Sequence, residues 1–148
     1  MVPEEIAGQD MQGFDQGLGR RLWYMANGEV DKVSQLIQSF PSSRHPDLWR
    51  GVGIACGYVG GSKPSELEYL SVASGAWKQQ LCTGIALAAF SRSTSKCETN
   101  DIAIACRILC NITMEEIEDF KSKLTDLPDP DTKHGKGHWI VELESGFA

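Results

Sequence analysis

Apolar residues recur at intervals of three and four along most of the chain, and strict alternation is nearly absent, so the pattern predicts helices and not strands. The first segment, around Phe14 to Ala26, spaces Phe14, Leu18, Leu22 and Met25 helically and stops at Asn27-Gly28. The second, Val30 to Phe40, carries Val30, Val33, Ile37 and Phe40 and meets Pro41. The third, "DLWRGVGIACGYVGG" over 47–61, has Pro46 at a first helical position and Gly60-Gly61 at its end. A fourth begins near Pro64, carries Leu67 and Leu70, and is punctuated by Ser74-Gly75. The fifth, Trp77 to Ser91, aligns Trp77, Leu81, Ile85, Ala88 and Ala89. The sixth, Asn100 to Leu109, starts on an Asn100 or Thr99 cap. In the seventh, Thr113 and Glu116 form a capping box, and Ile112 and Ile117 can close a hydrophobic staple around it.

A repeat underlies this series. Gly53-Ile54-Ala55 returns 31 positions later as Gly84-Ile85-Ala86, and Leu36 matches Leu67 at the same offset. Each unit reads as an outer helix, a turn, and an inner helix rich in small residues. The expectation is an all-α fold of stacked antiparallel helical hairpins, a short solenoid or layered bundle. After about Thr125 the periodicity stops. "TDLPDPDTKHGKG" reads as a linker, and "HWIVELESGF" suits a short strand or a segment docked on the helices. The chain therefore divides into a flexible N-terminus (1–12), a helical domain (13–124), and a linker with a C-terminal strap (125–148).

The glycines of the third segment raise the question of a phosphate loop. A dinucleotide fingerprint must follow a strand, and "PSSRHP" cannot be a buried one; no Gly-Lys-Ser/Thr follows either. Gly53, Gly57 and Gly60 instead fall on one helical face, which lets two backbones approach closely. Gly84, Ala88 and Ser91 repeat that face, and Gly17 with Gly19 thins the first segment. Such faces also suit homodimerisation through a self-complementary surface.

Composition narrows the function classes. The chain has 148 residues, enough for one domain, and 41% hydrophobic with 23% charged residues is ordinary for a globular protein. A net charge of −6, with no Lys/Arg run beyond Arg20-Arg21, argues against a nucleic-acid or anionic-membrane surface. The N-terminus is acidic, unlike a secretory signal, and no apolar stretch is long enough to span a membrane. Five cysteines, four of them in apolar segments, suit reduced, buried thiols in a cytoplasmic protein; Cys97, in a polar turn, is the expected exposed thiol.

Candidate chemistry is sparse. His134 and His138 have an H-x-x-x-H spacing, but the intervening Gly-Lys-Gly favours a linker over a metal-binding helix. Cys106 and Cys110 sit at i and i+4 without a C-x-x-C pair and read as buried thiols. No metal, no cofactor and no catalytic residue is assigned. Asp15, Asp47 and Glu116 fit helix starts and caps. Trp23 and Trp49 read first as core residues beside glycines, yet with Arg20, Arg21 and Arg50 nearby they also suit an extended, partly apolar ligand. Any binding surface is expected between the first and third segments, at Asp15, Arg20, Trp23, Asp47, Trp49 and Tyr58.

"GFDQGLGRRLWYM" followed by "IQSFPSSRHPDLWRGVGIACGYVGG" resembles the C-terminal half of an uncharacterised bacterial domain-of-unknown-function family whose genes accompany enediyne polyketide synthases. The matching residues include Phe14 to Arg20, Leu22, Trp23, Arg44, Asp47 to Trp49, Gly51 to Gly53, Tyr58, Gly60 and Gly61, and then Leu81, Gly84, Ala86, Ala88 and Ala89. The resemblance covers about residues 13 to 92, with a weaker echo beyond. It implies an accessory role in natural-product assembly and carries over no catalytic residue. Typical members contain two related helical halves, which implies self-association here or a partner that supplies the other half.

The leading expectation is a non-catalytic accessory or protein-interaction module. The alternative is an enzyme or carrier for a hydrophobic polyketide-like or isoprenoid-like small molecule in an aromatic-lined cavity. Asp15 or Asp47 would then be the acid or base, and Arg20 would hold an anionic group. An enzyme requires an enclosed cavity with convergent polar groups and a perturbed carboxylate; a module requires a filled core and an exposed apolar groove.

Overall fold

A computed structural model describes residues 9–60, 62–94 and 100–124, together with Glu144. Helix α1 (Gln9–Met25) begins more than a turn before Phe14, so residues 9 to 12 are helical. It is followed by α2 (Val30–Gln38), a 3-10 turn (Ser42–Arg44) and α3 (His45–Val59). Then come α4 (Pro64–Ser74), a second 3-10 turn (Gly75–Trp77), α5 (Lys78–Thr94), α6 (Asn100–Cys110) and α7 (Met114–Leu124). The fold is all-α, and the described residues hold no strand. The strand expected within 138–147, the two linker histidines and Cys97 lie outside the described residues.

Local chemistry sets the helix ends. Asn27 takes a left-handed conformation (φ 52°), and the Asn27 and Gly28 amides return to the Tyr24 and Trp23 carbonyls at 3.0 and 3.1 Å, a Schellman closure of α1. The expected capping box starts α7: the Glu116 amide donates to Thr113 Oγ1 at 3.1 Å, while Ile112 and Ile117 are buried beside it. Gly60 does not extend the small face of the third segment. It ends α3 at a positive φ of 67°, with its amide on the Cys56 carbonyl.

Successive helices alternate between two layers. The inner layer stacks α1, α3 and α5, with α7 against α5; the outer layer stacks α2, α4 and α6. Within the inner layer neighbours run in the same direction. Asp15 stands beside Arg44, Gly19 beside Leu48 and Gly51, and Trp23 lines the same depression as Val59. Likewise Gly53 meets Leu81 and Gly84, Gly57 meets Ala88, and Tyr58 bonds Ser91. Each outer helix returns the chain, which makes the stacked hairpins expected from the repeat.

The inner crossings are built on backbone. A Cβ at Gly19 would overlap the Leu48 carbonyl oxygen, and one at Gly51 the Gln16 carbonyl. At the second crossing a Cβ at Gly53 would overlap the Leu81 carbonyl, and one at Gly84 the Arg50 carbonyl. In all four cases the carbonyl lies three residues before the glycine of the opposite helix. Two residues turn a helix by about 200°, so Gly51 faces α1 while Gly53 faces α5. Helix α3 is consequently buried from Asp47 to Gly57. Each helical glycine costs about 1 kcal/mol against alanine; close Cα–H to carbonyl contacts and dense packing offset it. These faces are occupied within the chain, so they are not the dimer surface that the sequence suggested. Gly17 differs: no atom stands within 4 Å of its Cβ position among the described residues.

Candidate functional site

The inner layer also buries charge. Helix α1 carries Asp15 and Gln16 in its second turn, 1% and 2% exposed. The 3-10 turn before α3 places Arg44 over them, with Nε 3.1 and 3.2 Å from the two Asp15 oxygens and Nη2 2.6 Å from Oδ1. The same guanidinium lies 4.9 Å from the Phe40 ring centroid, a cation–π distance. Asp47 occupies the first turn of α3, where the helix dipole favours a carboxylate, and Arg50 follows one turn later and donates to it.

A second carboxylate reaches Arg50 from 94 positions away. Both Glu144 oxygens accept from the Arg50 fork, Oε2 at 2.8 Å from Nη2, and the Gln79 amide donates to the Glu144 main-chain oxygen. Three carboxylates thus share two guanidiniums. Burial pushes the Asp47 carboxyl above its ordinary value, against the Arg50 charge and the hydrogen bonds from Arg50 and Gln16, with Asp15 adding repulsion. For Arg50, burial would lower the pKa, but Glu144 and Asp47 outweigh it and the guanidinium stays charged. The hydrogen bond to Asp15 raises Arg44 in the same way. Gln16 Oε1 and Gln80 Oε1 are buried without a hydrogen-bond partner.

The six residues expected to form one binding surface occupy several places. Asp15 and Asp47 join the ion cluster. Trp49 is a core residue, 3% exposed, and Arg20 is on the exposed side of α1. Tyr58 is half-buried and ties α3 to α5 through Ser91. Trp23 is buried under Gly28 and lines an open depression of about 350 Å³ at the far end of α1 and α3, with Tyr24, Val59 and Glu66. The guanidinium and aromatic contact is made by Arg44 and Phe40 instead of a tryptophan.

Arg44, Gln16, Gln79 and Glu144 were not anticipated as site residues, and Arg50 was expected beside Trp49 in a ligand lining, not in an ion cluster. One signal was present: an arginine inside the apolar run "LWRGVGIACG", on a helix thinned on both sides, must be buried and therefore paired. Among the described residues no group of three His, Cys, Asp or Glu is arranged to hold a metal, and no helix is long and apolar enough to cross a membrane.

The outward face of α1 completes the picture. Gly13 and Gly17 are exposed there, one turn apart, beside Arg20, Arg21 and Tyr24. Gly17 stands two residues before Gly19 as Gly51 stands two residues before Gly53.

No curated protein and no solved structure matches the chain. A family described as "Protein of unknown function (DUF1702)" matches residues 5–139, a span that includes α1 to α7. With nearly its whole length covered, and with the paired glycines, Asp15, Arg44, Asp47 and Arg50 inside that span, the chain belongs to this family.

Proposed function

We propose that this protein is a non-catalytic interaction module whose inner layer is continued by a helix of another molecule laid on the outward face of α1. The observation that carries this reading is the position of Gly17. In α3 the glycine facing the preceding inner helix is Gly51 and the one facing the next is Gly53. In α1 the glycine facing the next helix is Gly19, so Gly17 holds the place of Gly51, and among the described residues nothing stands within 4 Å of its Cβ position. An exposed helical glycine costs about 1 kcal/mol, and a backbone crossing is what the same spacing achieves twice elsewhere in this fold. The partner is a second copy or a protein that supplies a related helical half. Its setting is natural-product assembly, from the sequence resemblance, and the cytoplasm, from the buried cysteines.

The substitution Gly17→Ala tests this directly. It meets open space in the isolated chain, so the monomer should gain up to about 1 kcal/mol in stability while association is lost. Sedimentation of the wild type and the variant over a concentration series reads both. Unchanged assembly, or a wild type that stays monomeric with no partner bearing a paired-glycine helix, sinks the proposal.

A second reading keeps an enzyme or carrier for a hydrophobic polyketide-like or isoprenoid-like molecule. It is favoured by the raised Asp47 carboxyl beside the unpaired, buried Gln16 acceptor. Asp47 would hold a proton for transfer, and the Trp23 depression would take the apolar part. Native mass spectrometry of the protein from its own host decides it: a small molecule released on unfolding supports this reading, and a bare chain removes it.

A further inference from the structure

The C-terminal ends of α1 and α3 border the open depression of about 350 Å³ that Trp23 lines with Tyr24, Val59, Gly60 and Glu66. Its wall is aromatic and apolar. Trp23 is 5% exposed, with only the bare Gly28 over its ring: a ring carbon lies 3.3 Å from where a Gly28 Cβ would stand. Tyr24 and Val59, one from each helix, are both 54% exposed, and they are among the few large apolar side chains that the described residues leave in solvent.

The charge around this depression has one sign. Because α1 and α3 run in the same direction, both negative dipole ends point here, each equivalent to about half an elementary charge. Neither helix carries a basic residue in its last turn to balance that end. Glu66 adds a carboxylate from the first turn of α4, and no ion pair holds it among the described residues. Behind Gly60 a Cβ would overlap the Asp101 carboxyl, so a second acid backs the floor. Glu29, next to Gly28, is paired with Lys32 at 3.2 Å. Arg20, Arg21 and Lys63 flank these segments in sequence and do not line the depression. An anion is repelled by this set, and a neutral apolar molecule leaves the Glu66 carboxylate and the helix ends without a partner.

We propose that the depression is a binding site for a small organic cation, an ammonium group carried on an aryl or alkyl body. The body lies on Trp23, Tyr24 and Val59. The ammonium N–H groups donate to Glu66 and stand at the carbonyl ends of α1 and α3, and the Tyr24 ring adds a cation–π attraction. The site uses neither Gly17 nor Asp47. Where the second reading above seats an uncharged apolar group in this depression, the present one requires a positive charge.

The test is a titration of the isotope-labelled full chain at neutral pH, followed by two-dimensional NMR. Its probes have similar size and different charge: phenethylamine, phenethyl alcohol and phenylacetate. Phenethylamine should give saturable shifts in the Trp23 indole and in the Asn27, Gly28 and Gly60 amides, with a dissociation constant in the millimolar range that suits so open a site. Phenethyl alcohol should bind about tenfold more weakly, and phenylacetate should leave those signals in place. Glu66→Gln, at an exposed position, should weaken the amine about threefold and leave the alcohol unchanged. The wild-type probe series decides the matter alone if the variant fails to fold. Equal binding of amine and alcohol, binding of phenylacetate, or an amine constant unmoved by Glu66→Gln overturns the proposal. So does the absence of a saturable shift, or shifts spread over the acidic surface instead of these residues. A bare chain in the native mass spectrum would remove the Asp47 reading and not this one, because a millimolar ligand is lost in purification.

Discussion

The stacked inner helices α1, α3 and α5 have 15 to 17 residues and the outer ones 9 to 11, and the two layers hold together in different ways. The outer layer is conventional: Val33, Ile37, Leu67, Leu70, Ile102 and Leu109 turn apolar side chains inward, and polar faces look out. Its buried side chains are apolar except for Ser74. The inner layer brings backbones together through Gly19 and Gly51, and through Gly53 and Gly84. It also buries Asp15, Gln16, Asp47, Arg50 and Thr83. The difference teaches that a helix gripped from both sides has no solvent face to which a polar residue can turn. Every charge on it must find a partner of opposite sign inside the fold. Paired glycines and paired charges are two results of the same close approach.

The most forceful way to break this comparison is a matched pair of single-methyl changes. Gly84→Ala adds a methyl where the Arg50 carbonyl stands, and should cost on the order of 3 kcal/mol, or prevent folding, because backbone cannot move aside as a side chain can. Ile37→Val removes a methyl from the outer layer and should cost about 1 kcal/mol. Urea denaturation of both variants measures the ratio; equal losses would mean that the inner layer is not the stiffer one.

A smaller effect sharpens the account of the buried charges. The folded Asp47 carboxyl binds its proton more tightly than in the unfolded chain, where 3.8 is ordinary. Its contribution to stability is therefore fully present below that pH and is lost as the pH rises through its raised value. Asparagine does not titrate, so Asp47→Asn should gain on the wild type between acid and neutral pH. A stability difference that is flat with pH, or that runs the other way, would show that Arg50 and Gln16 compensate the burial of Asp47 fully.

Much of the scaffold was readable from local chemistry. The stop at Asn27-Gly28, the prolines at 46 and 64, and the Thr113 capping box mark helix ends through interactions a few residues long. The 31-residue repeat pointed to stacked hairpins because each unit repeats the same inner face. The site was far less readable. Asp15 looked like a helix-start charge, yet α1 begins at Gln9 and Asp15 lies under Arg44. Trp23 and Trp49 looked like companions, yet Trp23 lines an open depression with Val59 while Trp49 lies in the core. Nothing local joins Glu144 to Arg50, since 94 residues divide them and no periodicity links the segments.

By itself, then, the sequence determined where helices begin and end, which faces are apolar, and which helices are thin. Those properties depend on backbone preference and on spacing within a turn or two of chain. Only the tertiary structure decided which side of α3 each glycine serves, that Gly17 stands in open space, and which carboxylate each arginine holds. Close approach and burial are properties of two helices together, and the cost of a buried charge depends on neighbours that only folding supplies.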